Sequence, residues 1–169
     1  KGIIRWEPSV PDKGFLFQNP DDQIVGATVA DDVGFSLLKE GKGRDEVEKK
    51  VTRVLEKVHL AGYESRYPLE MSFGEKKRLA LAGLLAGNPD ILFLDEPALG
   101  LDPREASALV RILKAFTRTV VFSSMDFNVV NRLADRVMLL AGGTIAAAGS
   151  SDEILSDRKL LEEHGLIFT

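Results

Sequence analysis

The sequence predicts an α/β domain whose parallel sheet is interrupted by an all-helical stretch. Three observations predict it. Ile91–Leu94 is a continuous apolar run of strand length, the pattern of a parallel strand covered on both faces, and it ends in two adjacent carboxylates, Asp95 and Glu96. Upstream of it, residues 28–88 carry only helical periodicity. Downstream, strand and helix signals alternate as in βαβ units. A chain of 169 residues suits one domain with a real hydrophobic core.

The elements follow in order. Lys1–Lys13, with Pro8 and Pro11, reads as irregular, and Trp6 is its one large apolar anchor. Gly14–Phe17 reads as a short buried strand stopped by Gln18-Asn19-Pro20. Thr28 and Asp31 fit a capping box for a helix running to about Glu40. After the Gly-Lys-Gly break at 41–43, Val47, Val51, Val54, Leu55 and Val58 recur at helical spacing through 44–60, with a charged, solvated opposite face. A polar linker around 62–68 leads to Ser72, which forms a second capping box with Glu75. Beyond the central strand come a helix over 104–116, a strand over 119–123 and a short helix over 127–134. A strand over 136–140 then meets a Gly142-Gly143 turn into 144–148. Ser150 and Glu153 cap a terminal helical piece.

Composition narrows the classes. The net charge of −4 is spread without a basic stripe, which argues against nucleic acid as a partner. No apolar run approaches the ~20 residues that cross a bilayer, so a membrane role is expected to be peripheral. There are no cysteines, which excludes a disulfide scaffold and thiolate metal sites. The chain begins at Lys1 instead of Met, and its N-terminus is expected to be a boundary or a truncation.

Ligands of open α/β sheets bind beyond the carboxyl ends of the strands. Asp95 there suits Mg²⁺, a hard cation that wants oxygen ligands, and the next carboxylate, Glu96, suits the polarising of a water. By themselves an apolar run and two acids at a strand end read more readily as a solvated polar strand end. The whole run Met71–Pro103, MSFGEKKRLALAGLLAGNPDILFLDEPALGLDP, resembles the signature helix, Walker B strand and D-loop of the ATP-binding-cassette (ABC) ATPases in order and spacing. The resemblance implies a P-loop NTPase fold of ABC type, incomplete at the N-terminus, with an all-helical signature subdomain. It divides the chain into a core remnant with the Q-loop (1–27), the signature subdomain (28–88) and a RecA-like core with Walker B, D-loop and a degenerate switch loop (89–169). It assigns Asp95 to Mg²⁺, Glu96 to the catalytic base, and Ser72, Gly74, Glu75 and Asp102 to ATP.

Phe73 and Glu75 stand where the signature has Gly and Gln. The charge of Glu75 near a phosphate is expected to need an offset from Lys76, Lys77 or Arg78. FQNPDDQ resembles the Q-loop of one branch, the ATPases of cobalt, nickel and energy-coupling-factor vitamin importers, with Gln18 bridging a metal-bound water. Two departures stand out. Met125 occupies the place of the switch His, and Met cannot donate a hydrogen bond to a phosphate. No G-x-x-x-x-G-K-[ST] occurs anywhere, so the backbone cradle for phosphates is missing; in the family that loop lies upstream of Gln18.

The reading implied is an ATP-binding subunit of an ABC importer of a metal ion or vitamin. It would pair with a second ATPase subunit and an integral membrane partner, on the inner face of the cell membrane. The alternative is a degenerate, non-hydrolysing subunit acting as a structural or regulatory partner. A soluble DNA-repair or chromosome-organising relative fits less well, since the insertion at 28–88 is too modest for long heptad arms.

Overall fold

The computed structural model describes residues 11–166; Trp6 and the rest of the first ten residues lie outside the described residues. The chain divides into two compact units, 1–123 and 124–169.

The first unit is built on strands β1 (Lys13–Leu16), β2 (Ile91–Leu94) and β3 (Thr119–Phe122), all parallel, in the order β1-β2-β3. The register places Leu16 opposite Leu94 and Leu94 opposite Phe122, so the three strands end level. Between β1 and β2 the chain makes helices α1 (Val29–Lys39), α2 (Arg44–Lys57) and α3 (Phe73–Ala86). Two 3₁₀ turns, Pro20–Asp22 and Pro68–Glu70, punctuate that stretch. Helix α4 (Pro103–Lys114) joins β2 to β3.

Helices α1, α3 and α4 start where the sequence provides a side-chain cap, whereas α2 starts at Gly43 without one. Thr28 accepts the Asp31 N–H while Asp31 accepts the Thr28 N–H, and Ser72/Glu75 and Asp102/Glu105 repeat the arrangement. These reciprocal bonds satisfy donors that a helix start leaves unpaired. Val33 and Leu37 of α1 and Val47, Val51, Val54 and Leu55 of α2 are buried, and so is Val58 beyond its end. A side chain at Gly34 would press on Val47, so that glycine lets α1 and α2 close together. Helix α2 stops in a Schellman turn: Leu60 N–H bonds Leu55 O at 2.8 Å, His59 N–H bonds Glu56 O, and His59 takes φ 59°. His59 is therefore a helix-ending residue in a left-handed conformation.

The sheet corrects one expectation. Ile91–Leu94 was expected to be covered on both faces and Gly14–Phe17 to be a short buried strand. Only the side of Gly14, Leu16, Leu92 and Leu94 is buried; on the other, Phe15 is 50% and Val121 43% exposed. Phe15, Phe93 and Val121 lie side by side in register, and the Phe15 and Phe93 rings stack at 4.9 Å, shielding one another. On the buried side, α3 approaches so closely that a side chain at Gly14 would meet Leu84 and Leu92.

The amino ends of the strands are pinned by one cation. Arg118 donates to the carbonyls of Asn88 and Pro89 at 2.8 and 2.9 Å and to Asp90 Oδ1 at 2.9 Å, while Asp90 Oδ2 accepts the Asp12 N–H.

The second unit contains α5 (Phe127–Leu133), an antiparallel hairpin of β4 (Arg136–Ala141) and β5 (Thr144–Ser150), and short helices α6 (Ser151–Ser156) and α7 (Arg158–Glu163). The strand expected at 136–140 thus pairs with its successor and not as a further parallel βαβ strand. The two-residue Gly142-Gly143 loop is the reason. Both residues have positive φ, 56° and 78°, the geometry of a type I′ turn, which reverses the chain at once.

Arg118→Ala is expected to lower unfolding stability by about 1–2 kcal/mol, because two carbonyls and a carboxylate lose their charged donor. Urea denaturation with an unchanged slope and a shifted midpoint checks it.

Candidate functional site

Because the three strands end level, their next residues collect on one edge. Asp95 N–H continues the ladder to Leu16 O at 2.9 Å, and Ser123 N–H continues it to Leu94 O at 3.0 Å. The Ser123 hydroxyl donates to Asp95 Oδ1 at 2.7 Å and accepts the Glu96 N–H at 2.9 Å. Gln18, two residues beyond β1, is exposed on the same edge. Its neighbour Gln23 clamps the strand end, accepting the Phe17 N–H and donating to Phe15 O.

Glu96 has φ 42°, a left-handed conformation uncommon outside glycine. Its carbonyl accepts two donors, Leu99 N–H at 3.1 Å and Lys77 Nζ at 2.7 Å. Lys77 is fully buried in the second turn of α3. Burial pushes its pKa down, and the charges of Glu96 and then Asp95 pull it back, leaving it below the usual lysine value. Its ammonium also lies 5.6 Å from the Phe73 ring centroid, within cation–π range.

The start of α3 meets the segment after the acids at two further points. The Phe73 ring packs on the α-carbon of Gly100, where φ is 78° and a side chain would strike the ring. The Glu105 carboxylate of α4 lies over Gly74 in space a side chain there would fill. On its other flank, Lys76 bonds Asp21 Oδ1 at 2.7 Å, tying α3 to the turn that follows Gln18.

Glu75 is held locally. Its carboxylate accepts the Ser72 N–H and the Tyr63 hydroxyl, both at 2.8 Å, with Arg66 at 3.9 Å and stacked over the Tyr63 ring. Burial acts to raise its pKa, but the bonds from Ser72 and Tyr63 and the Arg66 charge outweigh it and hold the carboxyl below the usual range. Lys76 and Lys77 were expected alongside Arg78 to offset this charge; both are engaged elsewhere, and the cation beside Glu75 is Arg66. Asp102 accepts the N–H groups of Arg104 and Glu105 at 2.8 Å as the cap of α4. Met125 opens the second unit, 70% exposed, directly before Asp126, which caps α5.

The structure therefore joins Asp95, Glu96 and the Ser72–Glu75 turn within one unit and puts Gln18 on the same sheet edge as the acids. Sequence reasoning missed Ser123, Glu105 and the role of Lys77. The last had a signal: Lys77 lies three residues after Gly74 and four before Leu81 on the buried stripe of α3, where a lone charge calls for a partner.

A family model described as "AAA domain, putative AbiEii toxin, Type IV TA system" matches residues 26–124. The chain is 46% identical over 156 residues to an energy-coupling factor transporter ATP-binding protein EcfA of Methanothermobacter thermautotrophicus, covering 90% of this chain and 50% of that protein. It is 41% identical to the EcfA of Methanococcus maripaludis, covering 90% of this chain and 56% of the relative. The chain thus spans about half the length of the curated relatives it matches. Among solved structures, cbiO1 from Clostridium perfringens, part of the ABC transporter complex cbiONQ, superposes with a TM-score of 0.79 at 30% identity, over 92% of this chain and 63% of that one. A dimeric ATP-binding cassette, MJ0796, in a post-hydrolysis state with ADP and Pi gives 0.73 at 26% identity, over 83% and 63%.

Because the Glu75 carboxyl is depressed in the fold, its stabilisation is complete above the usual glutamate value of about 4.3 and fades as pH falls through its lower folded value. Glu75→Gln is accordingly expected to flatten the acid limb of a stability–pH profile below that value, as thermal melts across pH 2–6 (roughly the span over which carboxyls titrate) would record.

Proposed function

The chain belongs to the AAA-domain family and, like EcfA and CbiO, to the ATP-binding proteins of ABC transporters, and on that premise we propose that it serves as the ATP-binding subunit of an importer for a metal ion or vitamin. One observation carries the reading. The capped start of α3 is fixed to the segment after β2 at three points, Phe73–Gly100 and Lys77–Glu96 in the turn and Gly74–Glu105 in α4, in a chain whose sheet edge presents Asp95. A helix start with oriented N–H groups suits a phosphate, and a carboxylate on a sheet edge suits a metal-bound one.

In this reading Ser72, Gly74 and Glu75 face the ATP of a second ATPase subunit, with Asp102 on the adjoining loop. Asp95, with Gln18 on the same sheet edge, would hold Mg²⁺ on the chain's own nucleotide. The donor set fits that ion: one exposed carboxylate beside the Ser123 hydroxyl, with Gln18 on the same sheet edge, suits a cation that keeps several of its waters. Among the described residues no cluster of three or more acidic or imidazole side chains competes for another metal. When bound, Mg²⁺ neutralises charge on the phosphates. Glu96 takes the proton of the attacking water. The phosphate cradle, which residues 1–169 do not encode, comes from other sequence or from a partner. Gln18 and the helices of 28–88 pass closure to an integral membrane partner at the inner face of the membrane. No helix among the described residues is long and apolar enough to cross a membrane.

A second reading, a non-hydrolysing partner subunit, is favoured by Met125, which lacks the proton a switch imidazole would donate.

Two measurements decide between them. In the protein carrying a phosphate loop and assembled with its partners, Glu96→Gln is expected to cut phosphate release about a hundredfold while sparing ATP binding. Met125→His is expected to raise turnover; brisk hydrolysis unchanged by that substitution would show the imidazole to be dispensable. Residues 1–169 alone are expected to give little or no heat when titrated with MgATP, and tight binding would overturn the assignment of the missing cradle.

A further inference from the structure

A buried ammonium is costly, and exchanging a buried ionic group for an apolar one of similar volume is often neutral or stabilising. Lys77 is fully buried, so its presence in α3 calls for a use beyond stability. Its Nζ reaches across to the carbonyl of Glu96, the one acid of the site with a left-handed backbone, φ 42°. Such a conformation in a non-glycine residue persists only where its surroundings hold it. Three bonds do so here: Ser123 Oγ on the N–H side, and Leu99 N–H with Lys77 Nζ on the carbonyl side. Of these, Lys77 alone comes from α3, and the Phe73 ring that covers Gly100 borders the same ammonium.

We propose that Lys77 is a positioning residue: it holds the Glu96 backbone in its left-handed conformation and makes that conformation depend on where the start of α3 sits. The proposal rests on the ATPase reading above. It gives a physical route within one chain between two half-sites. A phosphate seated on Ser72 and Gly74 fixes α3, α3 carries Lys77, and Lys77 sets the direction from which Glu96 addresses the chain's own nucleotide.

The test uses the complete protein in its assembled complex. Lys77→Met keeps length and apolar packing but removes the donor. It is expected to lower kcat about tenfold or more with KM for ATP within about twofold, the signature of a misplaced base and not of lost binding. Hydrogen exchange is the second readout. The Leu99 amide, which shares the Glu96 carbonyl, exchanges at least about tenfold faster, while amides of β2 and of the α3 interior keep their protection. Lys77→Arg, which keeps a charged donor, recovers most of the loss in both.

Full kcat in Lys77→Met overturns the proposal, and so does unchanged Leu99 exchange. A kcat loss that merely follows a general fall in protection across α3 and β2 also overturns it. If Lys77→Met does not fold, Lys77→Gln, with a shorter arm, is read by the same criteria. Absence of hydrolysis in the unsubstituted protein counts against the ATPase reading alone, and Leu99 exchange then still judges whether Lys77 holds the turn.

Discussion

One hydrogen bond, from Lys77 Nζ to the Glu96 carbonyl, organises the first unit. The sheet provides a level edge and the helices provide a capped start. Neither of these by itself fixes how the two face one another. Lys77 does so because its ammonium is buried and needs an oxygen acceptor, which the carbonyl of Glu96 just past β2 provides. Phe73 over Gly100 and Glu105 over Gly74 then close the same interface from either side. The two glycines are required there for different reasons, Gly100 for its positive φ and Gly74 for the carboxylate lying on it.

Much of this was legible in the sequence wherever the chemistry is local. Capping boxes at Thr28, Ser72 and Ser150 are read from residues three apart, and all three form. The apolar stripe of α2 and the β2 run ending in Asp95-Glu96 are likewise written in short windows. What escaped was set by partners distant in sequence. Ser123 reads as an ordinary serine until parallel pairing brings it level with Asp95. Glu75 reads as an unfavourable charge until Tyr63 and Arg66 fold back over it. The uncovered Phe15–Phe93–Val121 face could not be foreseen from apolar runs, since a run of four apolar residues looks the same whether one face or two are covered.

The departures from the family pattern also take on physical content. Phe73, in place of a flexible glycine, contributes a ring to the contact with Gly100 and an aromatic face to Lys77, so the substitution stiffens the start of α3. Glu75, in place of an amide, spends its charge on its own helix cap and on Tyr63 and Arg66.

The neighbouring of β1 and β2 across residues 17–90 has a consequence in time. Closing a loop of that length before any contact rewards it costs on the order of 4 kcal/mol of chain entropy. Helices α1, α2 and α3 form from local contacts and shorten the path, and α3 brings Leu84 onto Gly14. The parallel ladder is thereby expected to close after the helices have docked. An edge on which Gln18, Asp95 and Ser123 stand level would then be among the last features of the chain to mature.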